Sequence, residues 1–188
     1  MITLTLTRHG QTTENVDKIL QGQSEGHLNE TGVQQAKQLR DRLNASDYDI
    51  IVCSDLKRTQ LTAQIINEKL QLPINYTPLL RERDWGEYTG LPISQITLPP
   101  SQFPPSIENA EQLAQRSHNF LKYLLDNYDN LRVLGIGHGY FNRCVQATIE
   151  QKTVRQTPRW ENTEMRIFNI TPEVVSHKAP TDFLVSEN

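Results

Sequence analysis

Cysteine is nearly absent from this chain: Cys53 and Cys144 are the only two among 188 residues. Two isolated thiols make neither a metal-ligand spacing nor a disulfide framework, and reduced, core-packed cysteines are expected. Long hydrophobic runs are missing as well. No stretch approaches the length of a membrane span, and the hydrophobic content of 36% is modest. The N-terminal residues lack the basic region, apolar core and cleavage site of a secretory signal, so a cytoplasmic location is expected. A charge excess of one sign is lacking too. Nineteen Lys and Arg stand against 22 Asp and Glu, for a net charge of −3 with no basic block. Neither nucleic acid nor an anionic membrane is an expected partner. If the ligand is an anion, the positive charge that meets it must be local to a pocket.

What is present is a regular alternation of apolar and amphipathic segments. The length fits one ordinary domain, 1–188. Met1 to Thr7 reads as a first strand, and a polar loop follows from Gly10 to Asn29. A helix is expected over about 31–44, with Thr31 as N-cap and Gln34 as its capping-box partner. Tyr48 to Cys53 reads as a strand, and Ser54 or Asp55 as the cap of a helix running to Leu70. Ile74 to Thr77 reads as a short strand, and Leu91 to Ile107 as a Pro-rich lid or edge loop. Glu108 to Tyr128 reads as a helix, Leu131 to Ile136 as the most apolar strand, Phe141 to Glu150 as a helix and Glu164 to Ile170 as a last strand. The tail after Pro180 reads as loose. The fold class expected from this alternation is α/β, a three-layer α/β/α arrangement with a mostly parallel central sheet.

Two short motifs carry chemistry. Arg8-His9-Gly10 follows the first strand, and Gly137-His138-Gly139 follows the most apolar one. Sites in open α/β sheets gather outside the C-terminal ends of such strands. Arg58, in the first turns of the helix after the second strand, can reach the same region. Two arginines and two histidines converging there make an anion pocket, and phosphate is its natural guest. The positive neighbours should keep the His9 imidazole neutral and nucleophilic. Glu82, in Leu80-Arg81-Glu82-Arg83-Asp84, is the candidate acid, with Asp84 and Glu87 as alternatives. A metal site is not expected, because two arginines repel a cation and no ligand-spaced pair exists. His27, His118 and His177 read as packed or exposed, and Trp85 and Trp160 as packing or rim aromatics.

Over about 4–170 the chain resembles the histidine phosphatase superfamily, the clan of cofactor-dependent phosphoglycerate mutases and related phosphatases. Arg8-His9-Gly10 is similar to the family's opening motif, Asn15 to the asparagine six residues after the histidine, and Gln21-Gly22 to a substrate-contacting pair. Leu28 to Gly32 with Gln35-Ala36, Ser54 to Ala63, Leu80-x-Glu82-x-x-x-Gly86 and Gly137-His138-Gly139 match its further motifs. Leu61 stands where glutamine is usual, and Glu25 and His27 where Asp and Pro are usual. The segment after Gly90 lacks the insertion with paired arginines found in the mutases, and Pro104 to Asn109 resembles the phosphatase members.

The resemblance implies a phosphoglycerate mutase-like fold and a phosphatase of the histidine acid type, a phosphoric monoester hydrolase. Its catalytic residues would be His9, Glu82, Arg8, Arg58 and His138, with Asn15, Gln21, Gly22 and Gly139 contacting substrate. The expected substrate is a phosphorylated small molecule, the product is inorganic phosphate, and no cofactor or metal is expected. His9 would take the phosphoryl group while Glu82 protonates the leaving oxygen; water activated by Glu82 would then release phosphate. A phosphoglycerate-type mutase and a non-catalytic phosphate-binding scaffold are the alternatives. Assembly as a homodimer is left open.

Overall fold

The computed structural model describes residues 1–177; the segment after Pro180 lies outside them. The first strand, β1 (Ile2–Arg8), alternates Ile2, Leu4 and Leu6 with threonines, as a strand with two unlike faces does. It occupies the interior of a five-stranded sheet of order β3-β2-β4-β1-β5, with β2 at Ile50–Ser54, β3 at Ile74–Thr77, β4 at Arg132–Gly137 and β5 at Met165–Ile170. The β1–β4, β2–β4 and β2–β3 pairs are parallel, and β5 lies antiparallel on the edge of β1.

Helices cover both faces. α1 (Thr13–Val16) is a single turn, α2 spans Glu30–Arg42, α3 Lys57–Leu70, α4 Ala110–Tyr128, α5 Gly139–Glu150 and α6 Pro172–Ser176. Leu39 and Leu43, with Ala63, Ile66 and Leu70 of α3, pack on Ile51, Cys53, Leu134 and Ile136. On the other face Leu113, Phe120, Leu121 and Leu124 of α4, with Phe141, Cys144 and Val145 of α5, pack on Ile2, Leu4, Leu6, Val52 and Val133. The three-layer α/β/α fold with a mostly parallel sheet is therefore as the alternation required, and each fully buried Leu, Ile or Phe contributes about 1.5–3 kcal/mol.

The local differences have physical reasons. The segment from Gly10 to Asn29 is not uniformly loop, because Thr12 and Asn15 form a reciprocal capping box that starts α1. α2 begins earlier than expected, since Asn29 rather than Thr31 is the N-cap: its side chain accepts from the Gly32 N–H. Neither Ser54 nor Asp55 caps α3. The N-cap residue is Leu56, and the Lys57 N–H is taken by Glu25 Oε2, 3.1 Å away on another loop. A cap supplied across the fold leaves no mark in the local sequence. Asn109 and Gln112 box the start of α4, which therefore opens at Ala110 rather than Glu108. Leu91 to Ile107 is irregular, with single 3₁₀ turns at Ile93–Gln95 and Pro100–Gln102.

Register sets the site. Arg8 pairs with Gly137 at the C-terminal ends of adjacent parallel strands, and the His9 N–H continues the ladder to Gly137 O at 3.1 Å. The next residue on each strand is a histidine.

Candidate active site

His9 and His138 leave the ends of β1 and β4 with their ring centroids 5.2 Å apart, edge to face. The chain must turn sharply after His9. A Cβ on Gly10 would stand 2.5 Å from Gly32 O, so only glycine fits. Gly10 N in turn donates to Thr62 Oγ1 of α3, and His9 O accepts from Asn162 Nδ2 at 3.0 Å. The His9 backbone is thus held from three elements.

The His9 ring has one determined tautomer. Its Nδ1 lies 2.6 Å from Gly10 O, and a carbonyl oxygen can only accept, so Nδ1 carries the proton. Nε2 is left with its lone pair. Burial holds the His9 imidazole well below its ordinary pKa, and the charges of Arg58 and Arg8 lower it further. Desolvation is a larger cause than the two arginines to which the sequence points. His138 is lowered in the same direction, by burial first and then by Arg58. Its Nε2 is 2.8 Å from Ser54 Oγ, and its buried Nδ1 has no hydrogen-bond partner among the described residues.

A cavity of about 410 Å³ opens in front of His9. Arg8, His9, Asn15, Gln21, Gly22, Arg58, Glu82 and Gly139 all line it, so these expected residues are brought to one place. His138 is not among the lining residues; it is fully buried against His9. Gly139 opens α5 against Arg8: a Cβ there would lie 3.0 Å from Arg8 Nε. Arg8 is anchored by Nη1 donating to Trp160 O at 2.6 Å, and its buried Nε is unpartnered. Arg58 comes from the first turn of α3 and ties the 22–25 loop, donating from Nη1 to Ser24 O at 2.6 Å and from Nη2 to Gly22 O at 2.7 Å. Its buried Nε also has no partner among the described residues. Burial lowers both arginines, Arg58 to about 10, which leaves each protonated at neutral pH. The buried guanidinium of Arg58 and that of the half-buried Arg8, each with an unused Nε donor beside a neutral imidazole, form a cradle for an oxyanion.

Glu82 reaches the cavity from the segment after β3. Its Oε1 accepts from Arg83 N at 2.8 Å and Phe141 N at 2.9 Å, and its Oε2 from Tyr140 N at 3.1 Å. The last two donors belong to the open first turn of α5, so the helix end orients the carboxylate. Oε2 keeps a free position. Asp84 is committed elsewhere, since its Oδ1 accepts from Gly86 N at 2.8 Å, and neither it nor the exposed Glu87 lines the cavity. Asn15 lines the cavity, but its Oδ1 also closes the α1 capping box with Thr12 N.

Several contributors were not found from the sequence: Ser54 on His138, Asn162 on His9, and the group Arg83, Phe103 and Tyr140 lining the far wall. Arg83 was adjacent to Glu82 in the acid motif, but nothing in the sequence said that it is 4% exposed. Trp85 and Trp160 do lie at the cavity, as rim aromatics would. Cys53 and Cys144 are buried, and burial pushes both thiols up, so neither is a nucleophile. Among the described residues no group of His, Cys, Asp and Glu could hold a metal ion, and no helix is long and apolar enough to cross a membrane.

Arg8 and Arg58 beside a tautomer-fixed histidine, faced by a carboxylate, make an arrangement suited to phosphoryl transfer of the histidine type. The chain belongs to the histidine phosphatase superfamily (branch 1), whose family profile matches residues 4–182. It is 38% identical over 140 residues to the protein named "Uncharacterized phosphatase PhoE" of Bacillus subtilis (strain 168), covering 74% of this chain and 72% of that one. It is 33% identical over 161 residues to "Probable phosphoglycerate mutase GpmB" of Cronobacter sakazakii, covering 79% and 75%. Among solved structures it is similar to Bacillus stearothermophilus YhfR, with a TM-score of 0.82, 26% identity and coverage of 92% and 93%. It is also similar to a mycobacterial glucosyl-3-phosphoglycerate phosphatase solved with VO3, with a TM-score of 0.79, 25% identity and coverage of 88% and 91%. The fold is that of the phosphoglycerate mutase-like phosphatases, and the phosphatase reading fits the family.

Proposed function

We propose that this protein hydrolyses small-molecule phosphomonoesters through a phosphohistidine on His9. The observation that carries this reading is the Nδ1 donation to Gly10 O at 2.6 Å, which fixes the Nε2 lone pair on a neutral imidazole. Arg8 and Arg58 hold the phosphate oxygens and neutralise charge that develops on them. Nε2 attacks phosphorus in line, the P–O bond to the alcohol breaks, and Glu82 gives its proton to the departing oxygen. Glu82, now a carboxylate, takes a proton from water; the water oxygen attacks phosphorus, the P–N bond breaks, and inorganic phosphate leaves. His138, buried against His9 and bonded to Ser54, limits how far the nucleophile can rotate.

The relatives support both a phosphatase and a mutase name. The segment after Gly90, short and without a pair of arginines, favours hydrolysis. The test is the fate of the phosphoryl group. Purified protein incubated with a phosphomonoester should release stoichiometric inorganic phosphate without a bisphosphate primer. Accumulation of a positional isomer of the substrate with little free phosphate would establish the mutase reading instead.

A further inference from the structure

Beyond Glu82 the cavity wall is aromatic, and inside that wall sits a buried arginine. Arg83 is 4% exposed. Its guanidinium carbon lies 4.2 Å from the centre of the Trp85 ring, 5.4 Å from that of Tyr140 and 5.6 Å from that of Phe103. Trp85 packs edge to face on Phe103 and on Tyr140 at 6.1 and 6.2 Å, so the rings form a box around the cation. Nε donates to Glu108 O at 2.9 Å. Among the described residues no carboxylate lies within ion-pair distance of the guanidinium, and Nη1 and Nη2 make no hydrogen bond with any of them, although the side chain lines the cavity.

A guanidinium stacked on a ring uses its face and leaves its in-plane N–H fork available. Burying that charge without a counter-charge is unfavourable. The phosphate is already met by Arg8 and Arg58, and Arg83 follows Glu82 directly, on the side of the departing oxygen. The missing anion therefore belongs to the alcohol part of the substrate. Resting on the phosphatase reading above, we propose that Arg83 is a specificity subsite. It takes a second oxyanion, a carboxylate or another phosphoryl group, carried by the alcohol, while Trp85, Phe103 and Tyr140 cover the carbon skeleton between the two anions. The cavity of about 410 Å³ is ample for such a molecule.

Two matched pairs test this. Glycerol 3-phosphate and 3-phosphoglycerate differ by a hydroxymethyl against a carboxylate; 3-hydroxypropyl phosphate and propane-1,3-diyl bisphosphate differ by a hydroxyl against a phosphoryl group. The quantity read is the ratio of kcat/KM within each pair, for the wild type, Arg83→Gln and Arg83→Lys. The wild type should favour the anionic member of at least one pair by about tenfold or more, the usual worth of a charged hydrogen bond. The pair that responds identifies the anion. Arg83→Gln should bring that ratio close to one, and Arg83→Lys should keep part of it. A wild-type ratio near one in both pairs, or a preference that survives in Arg83→Gln, overturns the subsite. If the wild type hydrolyses no phosphomonoester, the phosphatase reading falls separately. Calorimetric affinities of the same pairs for the wild type and Arg83→Gln then decide the subsite in the same way.

Discussion

Arg116 and Glu108 form a two-point ion pair, Nε to Oε1 and Nη2 to Oε2 at 2.7 Å each, and that pair holds the segment carrying Glu82. Arg116 also donates to the carbonyls of Leu79, Arg81 and Glu82, and stacks 3.7 Å over the ring of Phe141, whose N–H holds the Glu82 carboxylate. Both side chains are more than four-fifths buried. Removing one partner leaves an uncompensated charge, so Arg116→Ala should cost on the order of 3 kcal/mol in a denaturant titration. Because Arg116 acts through Glu82, kcat/KM for an alkyl phosphate should fall further than that for p-nitrophenyl phosphate. Equal losses on both substrates would reduce Arg116 to a purely structural role.

The acid itself is tested by Glu82→Gln. An alkoxide needs a proton as it leaves, whereas nitrophenolate is already a stable anion. Proton donation is worth about 10²–10⁴ where it is needed. The ratio of kcat/KM for a sugar or glycerate phosphate to that for p-nitrophenyl phosphate should therefore drop by at least tenfold. An unchanged ratio would transfer the role to another group.

Arg58→Ala should lose about 2.7–4 kcal/mol of transition-state stabilisation, as in comparable oxyanion sites. Arg58→Lys should recover little, since a point charge cannot reach Ser24 O and Gly22 O together while serving a phosphate. Vanadate should inhibit the wild type competitively. Inhibition that does not compete with substrate would remove the phosphate from this cradle.

Acid should destabilise the fold through the two buried histidines. Both are held well below the ordinary imidazole pKa, so the unfolded chain binds protons that the folded chain refuses. Their stabilisation is present above about pH 6.5, the unfolded value, and is lost as the pH falls toward the depressed folded values. Each contributes a slope of up to about 1.4 kcal/mol per pH unit in that window. Melting temperatures measured from pH 7.5 down to 5 should fall, and the fall should be shallower in His138→Gln. A Tm that stays flat over this interval would contradict the burial argument.

Much of this was legible in the sequence, because short motifs at strand ends are local features. Arg8-His9-Gly10 and Gly137-His138-Gly139 each sit where a strand stops, and the parallel register Arg8 to Gly137 follows from ordinary sheet geometry. What the sequence hid is contributed across the fold. Glu25 caps α3 from a loop 32 positions upstream, and Asn162 holds His9 across 153 positions. His138 lies fully buried with its ring 5.2 Å from that of His9, and the Ser54 hydroxyl at the end of β2 meets its Nε2 from the next strand, a contact that no local motif shows. The burial of Arg83 comes from Trp85, Phe103 and Tyr140 closing around it, two of them from distant segments.

The covalent phosphohistidine on His9 is open to direct chemical detection. Wild-type protein should be mixed with a radiolabelled phosphomonoester, quenched in alkali within the first turnover, digested and analysed by mass spectrometry. A phosphoryl group is expected on the peptide containing His9, stable to alkali and lost in acid, and absent from His9→Ala, in which turnover falls by on the order of 10⁴ or more. Label on another residue, or unimpaired turnover in a folded His9→Ala protein, would contradict it.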